Sequence, residues 1–200
     1  MLSLAAEHPS CLLSKGVNLM LDQPIMRIVI IRKLAILMQA NSEATPPQID
    51  LALIGAGPHA LTLIAHILKK RKSLRDKLLA FDPSGEWLTQ WRRQFAALEI
   101  GHLRSPSVHH RDPNPYELRR FAENRSSELF PPYDLPGSRL FEEFCGDTIK
   151  RWQLGDRVIK AKVTRIQPKS GRFRLWFEDG KSAIARRVIV AAGSGKPHLY

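Results

Sequence analysis

The chain has 200 residues, of which 44% are hydrophobic and 25% are charged, and its formal net charge is +12. This length provides one domain or one and a half, and the composition is that of a globular protein with a sizeable core. The charge favours an anionic partner, such as a dinucleotide, a nucleic acid or an acidic membrane surface. The basic residues are dispersed, however, and no nucleic-acid-binding motif is present, so we predict no nucleic-acid partner.

Residues 1–47 differ in character from the rest of the chain. Ile25–Met38 is strongly apolar, but it is interrupted by three basic residues and is too short to span a bilayer. The early apolar stretch lacks the features of a signal peptide, and we predict no transmembrane segment. We interpret residues 1–47 as an appendage and linker, and residues 48–200 as the folded domain. An extra strand or helix, a membrane-surface helix and translation from an upstream start codon stay open for this segment.

A strand, a glycine turn and a helix open the domain. Ile49–Ile54 is a short apolar run, and Gly55–Ala60 reads Gly-Ala-Gly-Pro-His-Ala. The following segment, to about Lys72, has apolar residues at helical spacing: Leu61, Ile64, Ala65 and Leu68. This order is typical of a dinucleotide-binding site, although a strand–turn–helix without a ligand is the alternative.

Each position of the glycine turn has a physical role in such a site. Gly55 permits the sharp turn, and Gly57 lets a pyrophosphate approach the backbone. Ala60 stands in the place of the usual third glycine and is small enough for the helix to pack on the strand. Pro58 suits the first helical turn, and the helix N-terminus offers free N–H groups and a positive dipole end to phosphates.

A second strand is predicted over Lys77–Phe81, and it ends at Asp82. An acid roughly 20 to 25 residues beyond the glycines is placed to bind a ribose hydroxyl pair. The turn after it contains Trp87 and Trp91. Residues 101–137 are rich in proline and loops, and we expect an ordered segment that lines a site.

The last third of the domain is predicted to contain one helix and three strands. The helix runs from Ser138, its expected cap, to about Trp152. The strand-like runs form a meander and are, in order, Val158–Ile166, Arg172–Glu178 and Ala183–Ala191. The final run is continuously apolar, as is typical of a parallel strand that is buried on both faces. The predicted fold class is therefore α/β and Rossmann-like.

Four stretches together resemble the FAD-binding half of flavin-dependent FAD/NAD(P) oxidoreductases, in particular the lysine and ornithine N-monooxygenases. They are Gly55–Ala60, Phe81–Trp87, Leu98–Pro106 with Arg111–Pro113, and Val190–Gly193. The resemblance covers residues 49–200. It implies a Rossmann-like FAD-binding domain with a three-stranded β-meander that is incomplete at its C-terminus. It also implies FAD and NADPH as cofactors, and an N-hydroxylating monooxygenase that acts on an amine or amino acid.

The resemblance assigns cofactor-binding roles to ten residues: Gly55, Gly57, Pro58, His59, Asp82, Trp87, Trp91, Arg104, Val163 and Gly193. The first four would hold the pyrophosphate, with His59 contributing its backbone, and Asp82 would bind the adenosine ribose. Val163 would offer its backbone to the adenine, and Gly193 would let the chain pass close to the cofactor.

Four of these assignments have structural alternatives. Trp87, Trp91 and Val163 could serve only in core packing. Arg104 could contact phosphate or substrate, or could form a structural ion pair.

Metal and thiol chemistry are not predicted. The pair His109–His110 has no cysteine or carboxylate partner at ligand spacing, so we interpret it as a loop pair and predict no metal site. Cys11 and Cys145 have neither metal nor redox spacing, which indicates a reducing compartment and favours a cytoplasmic location. The absence of a cysteine pair after the first helix also disfavours a disulfide reductase.

Two departures from the family pattern affect the functional prediction. Ala192 stands where threonine is common. The NAD(P)H-binding domain and the closing C-terminal segment of the family lie beyond these 200 residues, so we expect no turnover of NADPH by this chain alone. A non-catalytic dinucleotide-binding module is the main alternative, and a basic nucleic-acid binder is a lesser one. The predicted meander disfavours a Rossmann protein that binds NAD or S-adenosylmethionine.

Overall fold

A computed structural model describes residues 48–108 and 112–193. The predictions for residues 1–47, for His109–His110 and for the turn after Gly193 lie outside these ranges. The helices are α1 (Pro58–Lys70), α2 (Thr89–Ala97), α3 (Glu117–Phe121) and α4 (Ser138–Arg151). The strands are β1 (Gln48–Ile54), β2 (Leu78–Asp82), β3 (Leu129–Phe130), β4 (Leu135–Pro136), β5 (Val158–Lys160), β6 (Val163–Lys169), β7 (Arg172–Phe177) and β8 (Ser182–Val190).

Six strands form one mixed sheet in the order β5-β2-β1-β8-β7-β6, and β3 and β4 form a small separate hairpin. The strands from β5 to β8 in this order are parallel, whereas β8, β7 and β6 are antiparallel. The predicted α/β class with a parallel sheet is confirmed. Because the carboxyl ends of parallel strands lie at one edge, that edge is where an open α/β sheet binds its ligand.

The first strand of the predicted meander is wrong. Residues 158–166 do not form one strand, because β5 pairs with β2 in parallel while β6 pairs with β7. Only Ala161 and Lys162 connect β5 and β6, which stand at opposite ends of the strand order. The sheet therefore curls, and the β6–β8 meander covers one face of the parallel strands. The ring of Phe81 in β2 lies 5.1 Å from that of Phe177 in β7.

The parallel strands are consequently covered on both faces. One core lies under the helices and includes Leu53, Leu61, Ile64, Phe141 and Phe144, all fully buried. The second core lies under the meander and consists of Ile49, Ala52, Phe81, Leu175, Ala183 and Ala185. The apolar character of β1 and β8 in the sequence reflects this double cover.

Two helix boundaries differ from the predicted ones. The first helix ends at Lys70, two residues early, because a 3₁₀ segment from Lys72 to Lys77 leads into β2. The predicted cap at Ser138 is wrong: Gly137 is the N-cap of α4. The Ser138 hydroxyl donates instead to the carbonyl of Ile100, 2.6 Å away, and so ties α4 to the preceding loop.

The proline-rich region contains α3 and the β3–β4 hairpin, and an arginine anchors it to α4. The Arg151 guanidinium contacts Asp112 at 2.8 Å and Glu117 at 3.3 Å in that region, and Asp147 at 2.6 Å in its own helix. Partial burial lowers the pKa of Arg151, but the hydrogen bond to Asp147 and the charges of Asp112 and Glu117 raise it overall. The region is thus ordered, as predicted, by ion pairs as well as by apolar contacts.

A second ion cluster predicts a pH-dependent stability. Hydrogen bonds from Arg139 and Arg125 lower the pKa of Glu143 below its ordinary value of 4.5. The folded state therefore favours the carboxylate, and this contribution is complete above pH 4.5 and is lost as the pH falls through the lower, folded pKa.

We expect Glu143→Gln to lower the free energy of unfolding near pH 7 and to have little effect at about pH 3. Urea unfolding at both pH values measures this difference. Glu123→Gln is the control, since Glu123 forms no ion pair with another residue of the described ranges. An equal loss at both pH values for Glu143→Gln would contradict the ionic explanation.

Candidate dinucleotide-binding site

Gly55, the first residue after β1, is a glycine because the fold requires one. Its φ is +99°, and a Cβ atom added there would lie 2.7 Å from the carbonyl oxygen of Ala191. Its N–H donates to the carbonyl of Phe81 at 2.8 Å, and the N–H of Ala191 donates to Ile54 at 2.8 Å. The turn thus lies tightly between the end of β2 and the segment that follows β8.

Gly57 differs from Gly55, because neither its backbone nor its protein neighbours require a glycine. It has φ −82° and ψ −178°, which are ordinary for an L-residue, and it is the N-cap of α1. A Cβ atom added to Gly57 would have no described atom within 4 Å. The space in front of this backbone is open, and it is the space that a pyrophosphate would fill in a dinucleotide site.

The N-terminus of α1 next to Gly57 has unsatisfied donors. The first helical hydrogen bond runs from the N–H of Leu61 to the carbonyl of Gly57 at 3.1 Å. Within residues 48–108 and 112–193, the N–H groups of His59 and Ala60 have no acceptor. The first turn contains Pro58 but neither a capping side chain nor an acidic residue. Its dipole and free N–H groups therefore fit an anionic group.

Ala56, between the two glycines, is held from both sides by the segment that follows β2. Its N–H donates to Asp82 Oδ2 at 3.1 Å, and its carbonyl accepts from the N–H of Leu88 at 2.8 Å. Leu88 is buried and has a positive φ of 65°, which is costly for a residue with a branched side chain. The glycine turn is thus fixed before any ligand binds.

Asp82, the predicted ribose ligand, already accepts three hydrogen bonds. Its Oδ2 accepts from Ala56, and its Oδ1 accepts from the N–H of Ser84 at 2.9 Å and from the Ser84 hydroxyl at 2.6 Å. A carboxylate offers about four acceptor positions. One position on Oδ2 is left for a ribose hydroxyl, and a second hydroxyl could bind only if the Ser84 hydroxyl turned away.

The Asp82 network predicts two separable mutational effects. Asp82→Asn places an N–H₂ group against donors, so we expect a loss of about 1–3 kcal/mol in the free energy of unfolding and weaker dinucleotide binding. Ser84→Ala removes only the hydroxyl and is expected to cost less than about 1 kcal/mol. Urea unfolding and flavin fluorescence titration measure the two effects. Equal stability of wild type and Asp82→Asn would contradict a structural role for this carboxylate.

The two predicted tryptophans lie in packed environments. Trp87 is buried in the core under the helices, and its indole N–H donates to the carbonyl of Leu154 at 2.9 Å. Trp91 is half-buried, with its ring 4.1 Å from that of Phe95 and 5.3 Å from that of Phe141. Both therefore have core-packing roles, and a cofactor contact of either residue stays a prediction.

The remaining predicted ligands lie in different parts of the fold. Val163 begins β6, half-buried, two residues after Ala161, whose N–H donates to the carbonyl of Asp82 at 3.1 Å. Gly193 is exposed, two residues after Ala191, and a Cβ atom there would meet no described atom. Arg104 is exposed in the proline-rich region and forms no ion pair with a residue in the described ranges.

Three contributors to the site carry weak sequence signals or none. Ser84 follows an aspartate by two residues, a spacing typical of local side-chain-to-backbone turns, and this signal could have revealed it. Leu88 carries no sequence signal for its left-handed conformation. Thr89, the first residue of α2, has a buried hydroxyl without a partner among the described residues, and nothing in the sequence indicates this either.

A comparison with known families decides what kind of site this is. A sequence profile of the FAD-NAD(P)-binding family matches residues 52–195, which contain the glycine turn, Asp82 and β8. This chain belongs to that family. The FAD-NAD(P)-binding domain therefore places its glycine turn where the geometry leaves room for a pyrophosphate. No curated protein sequence matches the chain.

Solved structures share the fold of this FAD-NAD(P)-binding domain at low sequence identity. Ornithine hydroxylase from Pseudomonas aeruginosa has a TM-score of 0.52 and 19% identity, over 76% of this chain and 40% of that one. Bacillithiol disulfide reductase from Staphylococcus aureus has 0.48 and 16%, over 74% and 39%. A flavin-containing monooxygenase from Stenotrophomonas maltophilia has 0.44 and 18%, over 72% and 38%. The chain thus spans about two-fifths of the length of these proteins.

The described part of the chain shows neither a metal cluster nor a helix able to cross a membrane. Residues 48–108 and 112–193 contain no group of three histidine, cysteine or carboxylate side chains suited to a metal ion. His66 and His102 each place Nδ1 against a backbone carbonyl, that of Thr62 and that of Leu103. No helix in these ranges is both long and apolar enough to span a bilayer.

Proposed function

We propose that this chain is the FAD-binding portion of a flavin-dependent NAD(P)H oxidoreductase, and that the complete protein is an N-hydroxylating monooxygenase. The observation that carries the proposal is the open space in front of Gly57, which no backbone or packing constraint explains. Family membership supports a dinucleotide at this position. The similarity of the fold to an ornithine hydroxylase is consistent with FAD as that dinucleotide.

The residues of the chain would divide the work of holding FAD. The N–H groups at the start of α1 would bind the pyrophosphate, with Gly57 leaving room for it and Pro58 fixing the first turn. Asp82 would accept a hydrogen bond from the adenosine ribose on the free position of Oδ2, and the backbone of Val163 would face the adenine. When bound, FAD supplies the redox chemistry, namely acceptance of hydride from NADPH and reaction with O₂.

The monooxygenase branch rests on the segment Leu98–Pro106, and the structure gives that segment a defined place. The N–H of Leu103 donates to the carbonyl of Pro136 at 2.9 Å, and the N–H of Ser138 donates to Gly101 at 2.9 Å. The segment therefore runs beside β4 and the start of α4. We propose that Arg104, which is exposed here, contacts phosphate or an amine or amino acid substrate.

Several further properties belong to the same proposal. The FAD-binding domain would begin at residue 48, after an N-terminal appendage, and would act in the cytoplasm without a nucleic-acid partner. NADPH would be bound by a domain outside the 200 residues. The chain by itself would then hold FAD without using NADPH.

A flavin reduction experiment tests this division. The purified chain is loaded with FAD, freed of excess cofactor and treated anaerobically, first with NADPH and then with dithionite. We expect the visible flavin band to persist with NADPH and to bleach with dithionite. Rapid bleaching by NADPH alone would show that the chain contains its own reductant site and would overturn the proposed division.

A further inference from the structure

The outer face of the β6–β8 meander is strongly basic. The ladder pairs Arg165 with Trp176, Gln167 with Arg174, and Lys169 with Arg172, and paired residues share one face. On β8, Arg186 lies on the same face as Ile184, the partner of Arg174. We call Arg165, Lys169, Arg172, Arg174 and Arg186 the basic face.

The basic face is separated from both cores and is not neutralised by nearby acids. The opposite face of the meander carries Leu175, Ala183 and Ala185 into the core under the parallel strands. The strands β6, β7 and β8 contain no acidic residue. Lys162 and Lys181 pair with Glu178 and Asp179 at the margins, whereas no residue of the basic face forms an ion pair within the described ranges.

The arrangement around Trp176 strengthens this charge imbalance. The guanidinium carbons of Arg165 and Arg174 lie 5.3 Å and 5.2 Å from the centre of its ring. The indole N–H donates to Gln167 Oε1 at 3.3 Å, and Arg174 Nε is buried without a partner among the described residues. Two cations are thus held side by side over one ring, fixed in place but not neutralised.

The shape of this region decides which anionic partner fits. We infer that the basic face binds the surface of a bilayer that contains anionic phospholipids. A sheet face with five dispersed cations matches a plane of lipid phosphates, each of which can accept the forked N–H groups of arginine. The ring of Trp176 beside these cations is already covered by guanidinium groups, so it offers no free platform on which single-stranded bases would stack.

The edge of the meander supports contact through the face. The strand β6 is the last strand of the sheet, but Pro168 and the irregular register between Val163 and Arg165 oppose the addition of another strand. A partner therefore meets side chains rather than backbone groups. The inference is independent of the dinucleotide site and of the proposed oxidoreductase activity.

Vesicle sedimentation tests this inference on the full 200-residue chain. The vesicles contain phosphatidylcholine with one third phosphatidylserine, or phosphatidylcholine alone. One variant replaces Arg165, Lys169, Arg172 and Arg186 with glutamine. The matched control replaces Lys69, Lys70, Lys72 and Lys150, which are exposed in the helical half, so both variants lower the net charge of +12 by four. Circular dichroism and thermal unfolding establish that both variants are folded.

We expect wild type and control to bind the anionic vesicles and to dissociate in about 1 M salt, where charges are screened within about 3 Å. Each lost cation of the basic face is expected to lower the partition coefficient about fivefold, so the face variant loses binding at least about 100-fold. Equal losses in both variants would overturn the inference, because the total charge would then be responsible. Binding to a labelled single-stranded oligonucleotide but not to anionic vesicles would overturn it as well.

Discussion

Gly57→Val is expected to abolish dinucleotide binding while leaving the fold intact. A Cβ at this position meets no described protein atom, and the backbone angles suit any L-residue. We therefore expect the free energy of unfolding to change by less than about 1 kcal/mol, the usual range for an N-cap substitution of this kind. The added side chain fills the space in front of the free N–H groups of α1, so the Kd for FAD is expected to rise at least about 100-fold, equivalent to about 2.7 kcal/mol.

Flavin fluorescence titration measures the affinity, and urea unfolding measures the stability. Gly155→Val is the matched control, since a Cβ atom added to Gly155 would also meet open space and its φ is ordinary, but it lies at the turn before β5. The control is expected to bind FAD as wild type does. A Gly57→Val protein that binds FAD normally would show that the pyrophosphate lies elsewhere.

Gly55→Ala is expected to have the opposite signature, with a large loss of stability. An alanine at φ +99° is strained by about 1–2 kcal/mol. Its Cβ would also lie 2.7 Å from the carbonyl oxygen of Ala191, an atom of the backbone that cannot rotate away. Adding the cost of forcing β1 and the end of β8 apart, we expect a loss of about 3 kcal/mol or more in the free energy of unfolding.

Gly171→Ala separates the two causes of this loss. Gly171 has a φ of +72° in the turn between β6 and β7, but a Cβ there would meet nothing within 4 Å. Its substitution is expected to cost only the backbone strain, about 1–2 kcal/mol. Urea unfolding compares the two variants. If Gly55→Ala were no more destabilised than Gly171→Ala, the close approach of Ala191 would carry no energetic weight.

The contrast between Gly55 and Gly57 shows what the sequence can predict. The motif identifies both positions and the strand–turn–helix around them, because turn chemistry and apolar periodicity are local properties. It does not show that Gly55 is required by the protein and Gly57 by the space in front of it. That difference depends on Ala191, which is far from both glycines along the chain.

The meander shows a second limit. The strand propensity of residues 158–166 is continuous, so the sequence predicts one strand there. The chain is divided at Ala161 and Lys162, because the N–H of Ala161 donates to the carbonyl of Asp82 and the carbonyl of Lys162 accepts from the N–H of Glu178. These are tertiary contacts that no local pattern records. The position of Trp87, whose N–H is satisfied by Leu154, is unpredictable for the same reason.

The geometry of Asp82 lies between these cases. Its spacing to the glycines predicts an acid at the end of β2, and the structure places it beside the glycine turn. Its present partners, Ala56 and Ser84, show that it also holds that turn in place. One carboxylate therefore serves both the fold and the proposed ribose contact, which is why its substitution is expected to affect stability and binding together.

The visible absorption spectrum of the purified chain, after incubation with FAD and removal of the excess, tests the central claim most directly. We predict that the wild-type chain and Gly155→Val retain a shifted flavin band, and that Gly57→Val, folded by circular dichroism, does not. A folded wild-type chain that retains no flavin, and whose fluorescence titration with FAD shows no saturable binding, would contradict the assignment of the Gly57 site to FAD.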